Sequence, residues 1–238
     1  MQTTTLEYQG ADDERYVGYL ARPAQPNGAG ILIAHGAPGI SAHERRVAER
    51  LANLGYVALA ADYHGAGETI ASERVRTRVT TLLQDSTGLR AAMQAGLAAL
   101  RLQPGVDAGR IAVIGYCMGG AAALELAYTG ADAQAFIGFH ATLPEHAPKA
   151  YRAIKGKVLI LHGAGDPLVS DAERAAFEKN MNAAGVDWRM VLYGGAVHAF
   201  TMENAAAMNR AGIAYHKLTD ARSWRAMLDL FGESIDQR

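Results

Sequence analysis

The chain has 238 residues, a formal net charge of −1, half of its residues hydrophobic and a fifth charged. These proportions suit one α/β domain with room for a sizeable core. They exclude a basic nucleic-acid binder, and no apolar run approaches the ~18 residues of a membrane span.

The one cysteine, Cys117, permits neither an internal disulfide nor a cysteine-built metal site. Residues 1–7 lack the basic start and apolar core of a signal peptide. The cytoplasm is therefore the expected location, where a lone thiol lasts longest. Residues 6–8 and 16–20 read as short strands split by turn residues. An apolar run at 31–34 has the character of a buried parallel strand and ends in the loop His35-Gly36-Ala37-Pro38-Gly39. Residues 44–53 read as a helix with Val47, Leu51 and Leu54 facing inward and Gly55 as its stop. A strand at 56–60 leads into a turn-rich loop at 62–67. Helices follow at 72–84, rich in arginine, and at 86–102. Residues 111–114 form a strand and 121–128 a helix of small residues. Strands at 134–139, 157–161 and 188–193 alternate with a helix at 171–184, and a helix at 219–231 closes the chain. Residues 140–153 read as irregular. No repeat or linker interrupts this alternation, so the expected architecture is one doubly wound, mostly parallel sheet over residues 1–238 with helices on both faces. Ligands bind at the carboxyl ends of such strands.

Between the strand at 111–114 and the helix at 121–128 stands Gly115-Tyr116-Cys117-Met118-Gly119-Gly120. Strand, tight turn and helix form the context of the G-x-S-x-G nucleophile elbow, here with a thiol. The turn brings the residues two before and two after the nucleophile almost into contact, so both must be glycine. The helix N-terminus beneath the sulfur favours its deprotonated form. A thiol nucleophile needs a base, and the base needs an orienting acid. Asp166 and His198 follow later strands in the order nucleophile, acid, histidine. Taken singly, each residue has a plainer reading: a buried structural cysteine, a turn-initiating aspartate, and one of eight histidines, of which His35, His140 and His162 also end strands. The joint order separates the three from those readings.

With these residues in view, the chain resembles the dienelactone hydrolase family, cysteine-nucleophile members of the α/β-hydrolase fold. Residues 115–120 look like that family's G-Y-C-x-G-G, residues 162–167 like its acid loop and residues 193–200 like its histidine loop. The resemblance implies a Cys117–His198–Asp166 triad and hydrolysis of a lactone or small ester, with no metal and no organic cofactor. It places the oxyanion between the backbone N–H groups of Ala37 and Met118. His35, Tyr63, His64, Tyr116 and Met202 are expected around the pocket. Two positions depart from the pattern. Gly36 stands where bacterial members carry a glutamate. Met202 stands where they carry an arginine for a substrate carboxylate, and Arg74, Arg76 or Arg78 is the candidate replacement. Other acyl hydrolysis, as by a thioesterase, fits the same triad. A binding protein that kept the fold, or a redox sensor using Cys117, is the alternative outside hydrolysis. The absence of a second cysteine weakens the sensor.

Overall fold

The structure is a computed structural model, and it describes every residue except 12, 66, 237 and 238. The described residues build eight strands and seven α-helices: β1 (Gln2–Gln9), β2 (Arg15–Arg22), β3 (Gly28–Ala34), α1 (Ala42–Ala52), β4 (Val57–Ala61), α2 (Ser72–Gln84), α3 (Thr87–Arg101), β5 (Val106–Tyr116), α4 (Met118–Tyr128), β6 (Ala135–Phe139), α5 (Pro148–Ala153), β7 (Lys157–Gly163), α6 (Asp171–Ala184), β8 (Trp188–Tyr193) and α7 (Lys217–Ser234). The strands form one sheet in the order β1-β2-β4-β3-β5-β6-β7-β8. β1 and β2 run antiparallel to their neighbours, and β3 through β8 are mutually parallel.

Every residue of β4 and β6 is buried, as expected of parallel strands covered on both faces. Side chains alternate across the sheet. Leu32 and Val113 point into a core closed by α3 and α4, whereas Ile31, Ile33 and Ile114 point into a second core closed by α1 and α7. Both α1 and α6 begin with reciprocal capping boxes, Ser41 with Glu44 and Ser170 with Glu173.

Three local expectations are corrected. Leu54 is about half exposed, because α1 ends before it and the turn at Gly55 swings it outward. The stretch 140–153 is not wholly irregular. Pro148 starts a short helix, α5, where its fixed φ and missing N–H are harmless, and Tyr151 anchors that helix in the core. Helix α4 begins at Met118 rather than Ala121, since packing overrides the poor helix propensity of Gly119 and Gly120. All eleven residues of α4 are buried.

Candidate active site

Cys117 sits between β5 and α4 with φ 56° and ψ −117°, a left-handed backbone that a side-chain-bearing residue adopts only under constraint. The constraint is visible. Its N–H donates to the Phe139 carbonyl at 3.0 Å, and its carbonyl accepts from Gly120 N–H at 3.0 Å. A Cβ at Gly115 would lie 1.9 Å from the Gly119 carbonyl oxygen, and one at Gly119 would lie 2.1 Å from the Ala34 oxygen and 2.5 Å from the His35 oxygen. The elbow is thus closed by backbone against backbone, as the glycines require.

The loops after β7 and β8 converge on the sulfur. Ala164 and Gly165 donate to the Tyr193 and Ala196 carbonyls at 3.0 and 2.9 Å. On the other side, His198 N–H donates to the Gly212 carbonyl at 3.0 Å. The result is a short chain of contacts. His198 Nε2 stands 3.1 Å from Cys117 Sγ, and His198 Nδ1 stands 2.7 Å from Asp166 Oδ2. The other carboxylate oxygen, Oδ1, accepts from Leu168 N–H at 2.9 Å. Both Asp166 and His198 are buried. Burial alone disfavours the charged imidazole, but the hydrogen bonds to Asp166 and Cys117 and their charges outweigh it and push His198 up to about 9. Burial likewise opposes the Asp166 carboxylate, and the His198 contact outweighs it and lowers the pKa. Each group favours the ionised form of the other.

The neighbouring histidines do not join this chain. His140 donates or accepts through Nε2 to Thr201 Oγ1 at 2.9 Å and packs edge-on against His198, 5.0 Å between ring centroids. Burial holds it neutral. Both ring nitrogens of His162 lack a partner among the described residues.

Eight strands in this order, an elbow cysteine and a histidine–aspartate pair on later loops are the frame of an esterase-type hydrolase. The model of the dienelactone hydrolase family matches residues 17–235. The chain belongs to the dienelactone hydrolase family. It is a hydrolase acting on ester bonds. The structure called m3DLH is 42% identical, with a TM-score of 0.94, covering 98% of each chain. A dienelactone hydrolase-like promiscuous phosphotriesterase, P91, from metagenomic libraries is 37% identical, with a TM-score of 0.90, over 98% of this chain and 99% of that one. The carboxymethylenebutenolidase of Pseudomonas sp. strain P51 is 31% identical over 192 residues, 76% of this chain and 79% of that protein.

The remaining expected site residues are spread over distinct environments. His35 and Tyr63 are fully buried beneath the 35–39 loop, with rings stacked 3.6 Å apart, so neither presents a surface to substrate. Tyr116 also points inward. Its ring stacks on Phe139 and meets His43 edge-on, in the core under α1 and α7. Met202 is half-buried and closes the turn after His198, its N–H on the Ala199 carbonyl at 2.9 Å. Arg74 and Arg78 border an open groove beside His64, whereas Arg76 is exposed. Arg78 is committed to the Tyr63 carbonyl at 3.0 Å and to His64 Nδ1 at 3.5 Å.

One residue escaped the sequence reading. The carboxylate of Glu44, from α1, is buried beside Gly36 and accepts its N–H at 3.0 Å. Ser41-x-x-Glu44 announces a helix cap; the additional bond to a loop eight residues earlier carries no local signal. Among the described residues no group of three or more histidines, cysteines or acids is arranged to hold a metal, and no helix is long and apolar enough to cross a membrane.

Proposed function

We propose that this protein hydrolyses a lactone or small neutral ester through Cys117, His198 and Asp166. The observation that carries the reading is the pair of contacts, 3.1 Å from sulfur to Nε2 and 2.7 Å from Nδ1 to Oδ2. His198 takes the Cys117 proton, and the sulfur adds to the acyl carbonyl. The resulting oxyanion lies between the N–H groups of Ala37 and Met118. Met118 is the first residue of α4 and so has no intrahelical acceptor for its N–H. Collapse expels the alkoxide, which takes the proton from His198 and leaves a thioester on Cys117. Water then gives its proton to His198 and its hydroxide to the thioester, releasing the acid and the thiol. Asp166 holds Nδ1–H throughout and stabilises the imidazolium. In a lactone the leaving alkoxide stays on the product, so ring opening yields a single hydroxy or keto acid.

Met202 supports a neutral substrate. Half-buried four residues after His198, its uncharged thioether gives a substrate carboxylate no partner, and burying an unpaired carboxylate there would cost several kcal/mol. Because P91 is described as a promiscuous phosphotriesterase, the test also includes a phosphotriester. The test compares a chromogenic ester, a neutral lactone and its carboxylate analogue with wild type and Cys117→Ala. Iodoacetamide should label Cys117 alone, and hydrolysis should disappear in step with labelling. Full alkylation with activity intact would remove Cys117 from the mechanism. A tenfold preference for the anion would refute the argument from Met202.

A further inference from the structure

An oxyanion-hole N–H helps only if its direction is fixed before the charge develops. A peptide group is planar, so holding a carbonyl oxygen also aims the N–H on the opposite side of the same plane. The loop after β3 uses this rule in two successive peptides and then fixes the carbonyl of a third, which Pro38 leaves without an N–H. In the peptide joining His35 to Gly36, the carbonyl accepts the Tyr63 hydroxyl at 2.6 Å and the N–H goes to Glu44. In the peptide joining Gly36 to Ala37, the carbonyl accepts His35 Nδ1–H at 2.7 Å and Gly39 N–H at 3.2 Å. The Tyr63 hydroxyl lies a further 3.3 Å from that oxygen. The Ala37 carbonyl, in the next peptide, accepts His64 Nε2–H at 3.0 Å. Only the Ala37 N–H is left without an acceptor among the described residues.

The two imidazoles are themselves fixed in the required tautomers. A carbonyl can only accept, so His35 carries its proton on Nδ1 and offers Nε2 to Tyr63 N–H at 3.4 Å. His64 carries its proton on Nε2 and turns Nδ1 towards the Arg78 guanidinium at 3.5 Å. Burial pushes His35 down to about 3 and lowers His64 as well, so both rings are neutral at working pH.

We propose that His35, Tyr63 and His64 are positioning residues that clamp the 35–38 backbone and aim the Ala37 N–H at the developing oxyanion. The proposal rests on the reading of Cys117 as nucleophile, and the experiment separates the two. Ester acylation of the sulfur builds an oxyanion, whereas alkylation by iodoacetamide is a displacement that builds none. Tyr63→Phe keeps the stacked ring and removes the hydroxyl donor. His64→Ala removes the donor to Ala37, and His64→Gln restores an N–H donor there. Single-turnover acylation by a chromogenic ester should fall ~10- to 100-fold in Tyr63→Phe and His64→Ala, below the loss for deleting a hole donor outright. KM and the alkylation rate should stay within about twofold, and His64→Gln should recover most of the loss. These ranges presuppose folded variants; should Tyr63→Phe fail to fold, the His64 pair decides. Acylation unchanged in the folded variants, or acylation and alkylation falling together, overturns the clamp. Wild-type hydrolysis that survives alkylation overturns the nucleophile instead.

Discussion

Replacing Asp166 with asparagine preserves shape and removes charge, and the geometry dictates how it fails. In the native protein Oδ1 accepts Leu168 N–H at 2.9 Å and Oδ2 accepts His198 Nδ1–H at 2.7 Å. An amide has one oxygen for these two donors. If the oxygen stays with Leu168, the NH2 group faces Nδ1, and the ring must move its proton to Nε2, where it can no longer receive one from Cys117. If the oxygen faces Nδ1, the NH2 opposes Leu168 N–H, and an unmet buried donor costs ~1–3 kcal/mol. The lost charge adds to either outcome. His198 stands at about 9 against an ordinary 6.5, which amounts to ~3 kcal/mol shared between Asp166 and Cys117. Asp166→Asn should therefore lose 10²- to 10⁴-fold in kcat/KM, and its thermal midpoint should fall by several degrees. The assay is a pH series of kcat/KM on a chromogenic ester, with His198→Ala and His162→Ala alongside. His198→Ala should lose at least as much, and His162→Ala should be mild. An Asp166→Asn enzyme within tenfold of wild type would refute the orienting role.

Gly115→Ala should destabilise by on the order of 3 kcal/mol in urea titrations, since its Cβ would meet the Gly119 oxygen at 1.9 Å; a loss below about 1 kcal/mol would mean that the elbow relaxes freely. Stability should also fall on acidification. His35 and His140 are buried and neutral when folded but protonate when unfolded below about 6.5, so the unfolded state binds more protons and gains as pH drops. His198 acts oppositely, because its raised pKa gives stability that is complete below 6.5 and is lost as pH rises towards 9. Between pH 7 and 5.5 the two neutral rings outweigh it, for a net loss of ~2 kcal/mol, measurable as a shift in the urea midpoint at constant ionic strength. Equal stability at both values would contradict the neutral assignments.

The order of strands and helices was readable because the apolar runs of β3, β4 and β5 and the periodic faces of α1, α3 and α6 act locally. The glycines around Cys117 were readable for the same reason, since an elbow dictates its own neighbours. The order of Cys117, Asp166 and His198, with the likeness of residues 193–200 to the family's histidine loop, singles out His198 among four strand-end histidines, and His198 is the one that stands 3.1 Å from the sulfur. What decides between them is convergence of loops separated by tens of residues. The same limit hid the environments of His35, Tyr63 and Tyr116. A loop aromatic reads alike whether it faces solvent or lies beneath the backbone, and here partners at 63 and 64 meet a loop at 35–37. Pro148 hid α5 for a different reason: a proline that forbids a helix interior also suits a first turn.

Gly119 touches the end of β3 with no side chain between them. The separation between Met118 on one segment and Ala37 on the other is therefore set by main chain resting on main chain, with no compressible or rotatable spacer. Residues such as Met202 and the α2 arginines lie outside that joint. On the proposed mechanism, a change at Met202 alters which molecules enter, while the width of the gap proposed for the oxyanion stays as the backbone sets it.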